Sequence, residues 1–174
     1  MKKLLILLFL ILISFSNCKN SKEEKIDKIK DYQYIDSKAV ILVDSLYYDW
    51  LKKTYGYEQW KPTDDDLNLT QSILDSAIVN QEFDFLKEPI DSSIKSYCRQ
   101  YFPYINKKGE RIIEINAFCK IPKIPPPRKE ENKKWINRDW KNEYISVLDG
   151  GPCYWKIILN VDTLEYKNLT VNGF

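Results

Sequence analysis

CRQYFPYINKKGERIIEINAFC, residues 98–119, is the stretch that decides the fold. In its second half Ile113, Ile115, Ala117 and Cys119 fall on one side and Glu114 and Asn116 on the other, the period-two pattern of a half-buried strand. Asn106-Lys107-Lys108-Gly109 interrupts the alternation, and Gly109 supplies the positive φ that a tight hairpin turn requires. Two strands, 96–105 and 111–119, are therefore predicted to form an antiparallel hairpin. A two-residue turn at Lys108-Gly109 sets Cys98 opposite Cys119, and a shifted register sets it opposite Ala117. Both registers leave Cys98 and Cys119 on the same face, because shifting by a full side-chain period preserves parity. Arg99 then falls near Phe118 across the hairpin, in reach of a cation–π contact.

Toward the C-terminus the same grammar continues. Residues 144–148 and 153–161 read as strands joined by Asp149-Gly150-Gly151-Pro152, and 164–171 reads as a last strand. Between hairpin and strands lies KIPKIPPPRKEENKKW, residues 120–135, whose four prolines preclude regular sheet and suggest a stiff loop. Toward the N-terminus the period changes. Residues 46–55 suggest a helix with Leu46, Trp50 and the stem of Lys53 along one side. Thr63 followed by Asp64, Asp65 and Asp66 is a capped helix start, and Leu67, Ile73, Leu74, Ala77 and Ile78 make its apolar stripe. Residues 38–43 are a short buried run that periodicity leaves open between helix and strand. Residues 83–94 are equally open, with Pro89 interrupting a possible helix. The fold class is α+β: N-terminal helices packed on one face of a C-terminal antiparallel sheet of about four strands, as a single domain over 32–174.

The first residues carry an address. Lys2 and Lys3 precede an apolar run over 4–13, far short of the roughly 20 residues that span a bilayer as a helix. A secretory signal over 1–17 fits that size and flank. Phe15-Ser16-Asn17-Cys18 resembles a bacterial lipoprotein box, which would make Cys18 the lipidated residue, its acyl (palmitate-type) chains holding the protein on a membrane. Residues 18–31 are then a charged tether with too little apolar surface to fold alone. The localisation expected is the bacterial cell envelope, facing the periplasm or exposed on the surface. Without Lys2 and Lys3 the chain balances 25 basic against 25 acidic residues, so no phosphate-neutralising patch argues for nucleic acid.

Histidine is absent from all 174 residues. Ser-His-Asp and Cys-His catalysis are thereby excluded in their usual form, as is the commonest zinc set. No cofactor, metal or catalytic residue is expected, and Asp64-Asp65-Asp66 reads as a helix cap because consecutive carboxylates point apart. Glu114 with Glu143 or Asp149 would give the two carboxyls of glycoside hydrolysis only at a separation that sequence leaves undefined. Cys98, Cys119 and Cys153 are all expected to face the interior. One disulfide and one free thiol are expected, with the pairing open and Cys119–Cys153 among the possibilities.

A resemblance joins these pieces. DGGPCYWKIILN at 149–160, LTVNGF at 169–174, RQY at 99–101, INAFC at 115–119 and Trp60-Lys61-Pro62-Thr63 are similar to a family of small uncharacterised bacterial lipoproteins. The resemblance implies the anchored address and the unity of the domain, and carries no catalytic residue. Function must then come from the surface. Five Trp and twelve Tyr are too many for one modest core, and aromatics beside exposed charge are typical of contact surfaces. Trp135, Trp140 and Arg128 beside the basic loop are the expected contacts of a membrane-anchored, non-catalytic protein that holds an envelope protein or a glycan through the sheet edge and residues 120–142. The alternatives are a carboxylate-dependent glycan hydrolase of the envelope and an inhibitor or immunity-type protein.

Overall fold

A computed structural model describes residues 34–126 and 134–172, so the expected signal peptide, Cys18, the tether and Arg128 lie outside the described residues. The order is β1 (Ala39–Ile41), α1 (Ser45–Tyr55), β2 (Glu58–Gln59), α2 (Asp64–Val79), α3 (Ile90–Ser96), β3 (Cys98–Ile105), β4 (Arg111–Phe118), β5 (Lys123–Ile124), β6 (Ile136–Asn137), β7 (Gly151–Asn160) and β8 (Glu165–Asn172). The fold is α+β. Strands β3, β4, β7 and β8 are antiparallel neighbours in that order, β1 joins β3 in parallel and β2 joins it antiparallel. Residues 38–43 therefore hold a strand, and 83–94 divide into a loop and the short α3.

The hairpin forms, with a register neither expectation had. Ile105 pairs with Arg111, Arg99 with Ala117 and Cys98 with Phe118. Asn106 explains the difference. Its carboxamide oxygen accepts the N–H groups of Lys108 and Glu110 at 2.8 and 3.1 Å, and its own N–H donates to the Glu110 carbonyl at 3.0 Å. Gly109, at φ 79°, donates back to the Asn106 carbonyl. The turn is thus Lys107-Lys108-Gly109, one residue longer than a two-residue turn, and that extra residue inverts parity. Cys98 consequently shares a face with Phe118 and not with Cys119, and Arg99 does not stack on Phe118.

Both faces of the sheet are covered, so the expectation of helices on one face is corrected. On the first, Ile113, Ile115, Trp155 and Ile157 pack with Leu67, Leu74 and Ala77 of α2 and with Ile94 of α3. On the second, Phe102, Tyr104 and Ile112 pack with Tyr48 and Leu51 of α1, joined by Leu42 and Tyr144. Strand β3 is buried along nearly its whole length, as a strand covered on both sides must be. In β4 the alternation disguised this, because Glu114 and Asn116 share the second face with Ile112.

Two other expectations change. Helix α1 turns Tyr48 and Leu51 inward, while Leu46 is 80% and Trp50 47% exposed, so the stripe predicted at 46 and 50 faces outward. Residues 144–148 form no strand. Their backbone is tied down by side chains: Asp44 accepts from Tyr144 N–H, Gln100 accepts from Ile145 N–H, and Asn116 and Asn172 donate to the carbonyls of Ile145 and Val147. These bonds strap the segment across the second face without a ladder partner.

Arg99 is fully buried. Its guanidinium donates to the carbonyls of Tyr34, Ile94 and Tyr97 and pairs with Asp36 at 2.7 Å. Every bond runs to an element outside the sheet, so one side chain ties the N-terminal segment and α3 to β3. Removing one partner of such a site leaves the others buried and unpaired. Arg99→Met should lower unfolding free energy by about 3–5 kcal/mol in urea titration; a loss below about 1 kcal/mol would show the ties to be dispensable.

Candidate functional site

A cleft opens beside the segment that leads into α1. Val43, 66% exposed, precedes Leu46 and Trp50 and lines a mostly apolar cleft of about 630 Å³ with Ile41, Trp60, Pro62 and Pro103. Lys61 is its one charged wall residue among the described residues, and Gln59 is the other polar one. Trp60 is held by its indole N–H on the Ile112 carbonyl at 3.3 Å and by the Arg111 guanidinium 5.6 Å from its ring centroid. Arg111 is fixed in turn by Asp66 and Asp162, each at 2.6 Å, which keeps its cation above the usual arginine range and holds the Asp162 carboxyl below the usual carboxylate range. The wall is therefore built before anything docks.

The cleft sits where β3 lacks a strand neighbour, between the end of β1 and β2. That gap does not accept an added strand. Pro103 has no N–H to offer, its carbonyl takes the Tyr48 hydroxyl, and the Tyr101 carbonyl takes Leu42 N–H.

Trp50 also belongs to a chain of rings. Tyr47 stacks on Tyr144 at 3.9 Å between centroids and on Trp50 at 5.5 Å; Trp50 meets Tyr55, Tyr55 meets Tyr57, and Tyr57 stacks on Tyr104. Glu114 lies at their inner end, its carboxylate accepting the Tyr144 hydroxyl. Burial and the Glu114 charge hold the Tyr144 phenol far above the usual tyrosine range. Beyond Tyr144 the strap over residues 144–148 walls a more polar pocket of about 300 Å³, floored by Asn116 and Lys156 and closed by Asn172.

The residues expected from sequence are scattered. Trp135 is 61% exposed beside the two-stranded ribbon of β5 and β6. Trp140 is half-buried, its ring edge-on to Phe118 at 5.9 Å and its carbonyl accepting from Gln100, so it covers the sheet. Cys119 and Cys153 are joined in a disulfide, and Cys98 is free with its thiol pushed up by burial. Glu143 pairs with Arg138 and Asp149 accepts from Gly150 N–H, while Glu114 holds Tyr144; these contacts do not unite the three acids as a catalytic pair. Asp66 completes a capping box with Thr63, the local reason α2 starts where it does. The α1 face and Trp60 were missed as a site because an apolar stripe at helical spacing reads as core, and only the position of α1 reveals which stripe is buried.

Among curated proteins, the chain is similar to a viral cathepsin of Adoxophyes honmai nucleopolyhedrovirus, 26% identical over 128 residues that make up 72% of this chain and 36% of that protein. The chain thus spans about a third of that protein's length, and the match assigns no family. No family model and no solved structure matches. Among the described residues no group of His, Cys, Asp or Glu is arranged to hold a metal, and no helix is long and apolar enough to cross a membrane.

Burial lifts the phenols of Tyr34, Tyr47, Tyr48, Tyr97, Tyr101, Tyr104 and Tyr144 above the ordinary tyrosine value. In the unfolded chain they ionise near that value, so the folded state binds more protons above it. The phenols' contribution to stability is therefore level below about pH 10 and falls with rising pH beyond it, by about 1.4 kcal/mol per pH unit for each phenol held neutral. Denaturation midpoints between pH 8 and 11.5 should show that break, softened in Tyr144→Phe; a flat profile would contradict the burial.

Proposed function

We propose that this protein is a lipid-anchored, non-catalytic component of a bacterial cell envelope, similar to small envelope lipoproteins, that holds a protein partner on the outward side of α1. The carrying observation is a run of exposed apolar side chains, Leu46 and Trp50 on α1 and Val43 just before it, with Val43 also lining the apolar cleft beside Trp60. Apolar side chains left exposed on one helix, and a pocket with an aromatic wall near it, are features of interface anchors. The partner is a protein segment with one large apolar side chain for the cleft and a carboxylate near it for Lys61. The closed β3 edge favours side-chain insertion over strand pairing. Lipid attached at Cys18 restricts the search to the membrane surface, which raises effective concentration and lets a modest interface suffice. Trp135, exposed beside the β5–β6 ribbon, offers a separate contact, whereas Trp140 serves the fold.

Leu46→Asp with Trp50→Ser tests this directly. In-cell crosslinking of the tagged full chain, followed by affinity measurement with the recovered protein, should show each truncation costing about 2 kcal/mol, roughly thirtyfold. Thermal stability should stay within about 0.5 kcal/mol, since both residues are exposed. Equal recovery of the partner by the double variant would overturn the assignment.

A further inference from the structure

The polar pocket on the second face lies away from α1's outward side and has its own chemistry. Its floor is Lys156 in β7, half-buried, paired across the sheet with Asn116 on β4 and Thr170 on β8. Among the described residues no carboxylate comes within ion-pair distance of the Lys156 ammonium. Glu114, on the same face one pair away, does not serve it, because its carboxylate accepts the Tyr144 hydroxyl. No acidic side chain lines the pocket. A half-buried cation without a counter-charge, inside a pocket rather than on a convex surface, is a ready partner for an anion.

The remaining polar atoms narrow the class. Asn116 spends its amide hydrogens on Gln100 and the Ile145 carbonyl, and Asn172 donates to the Val147 carbonyl. Both carboxamide oxygens are left without a donor among the described residues. The same bonds fix both amides, so they do not reorganise when a ligand arrives. One unpaired ammonium donor beside two fixed oxygen acceptors matches a small molecule bearing a carboxylate together with hydroxyl donors. The volume, about 300 Å³, is at the low end for ligand pockets. We infer that this pocket binds an acidic sugar unit of the uronic-acid type, its carboxylate on Lys156 and its hydroxyls on Asn116 and Asn172. The site is independent of the protein partner proposed above, and its failure would leave that proposal standing.

Titration calorimetry of the full chain at low salt, with D-glucuronate, D-glucose and acetate as probes, tests the assignment. Glucuronate should saturate one site, and glucose and acetate should each bind about tenfold or more weakly, the factor expected of losing one charge-assisted bond or the hydroxyl set. Lys156→Met should reduce glucuronate to the level of glucose, and Lys156→Arg should restore part of the difference. Circular dichroism of both variants should match the wild type, because Lys156 makes no protein contact that the fold needs. Absence of saturable glucuronate binding would overturn the inference, as would equal affinity for glucose, equal affinity for acetate, or unchanged binding by a folded Lys156→Met.

Discussion

The buried guanidinium of Arg99 is the constraint on which the rest depends. It sits in β3 yet bonds only to groups beyond the sheet, on the segment before β1 and around the end of α3. An arginine in that position is stable only if all its donors are met, so the segments that supply the carbonyls have no freedom to move away. The backbone of Arg99 continues the tie, its N–H donating to the Lys38 carbonyl. β1 is thereby locked beside β3, and with it Ile41, Val43 and the direction in which α1 departs. The apolar cleft is a downstream consequence of a polar contact some distance away.

A sheet covered on both faces also accounts for the aromatic excess. One core holds mostly aliphatic side chains with Trp155, Phe83 and Tyr97 among them. The other is built largely of rings, with Tyr47, Tyr48, Phe102, Tyr104 and Tyr144 in mutual contact. Tyrosine suits that second core, since each ring supplies apolar area while its hydroxyl reaches an acceptor such as Glu114 or the Pro103 carbonyl. At its rim the rings of Trp50 and Tyr55 are exposed to solvent.

Much of this was legible in the sequence. The hairpin, the capped start of α2 and the last two strands follow from alternation, turn chemistry and capping, which are local properties. What escaped was set by contacts distant in sequence. The parity of Cys98 turned on one extra turn residue, fixed by the Asn106 side chain. The direction of α1 turned on which of two apolar stripes met β3, and Leu46–Trp50 and Tyr48–Leu51 look alike until the second face is known to be a core. The strap over residues 144–148 looked like a strand because its backbone is extended in composition, but its partners are side chains of Asp44, Gln100, Asn116 and Asn172, which no alternation pattern encodes. At the site the losses were the same in kind: Trp140 was expected at a surface and packs on Phe118, whereas Trp50 was read as one side of a helix and Trp60 only as part of a resemblance.

The proposed anchoring and docking would reinforce one another physically, because a domain tethered to a surface needs little intrinsic affinity to stay with a partner on that surface. The central claim is that α1's outward side is the occupied one in the cell. A photo-crosslinking residue placed at Leu46, compared with one at the equally exposed Val79 at the end of α2, measures this most directly in living cells. The account predicts a single defined protein adduct from position 46 and none from position 79. Adducts of the same protein from both positions, or from position 79 alone, would contradict it.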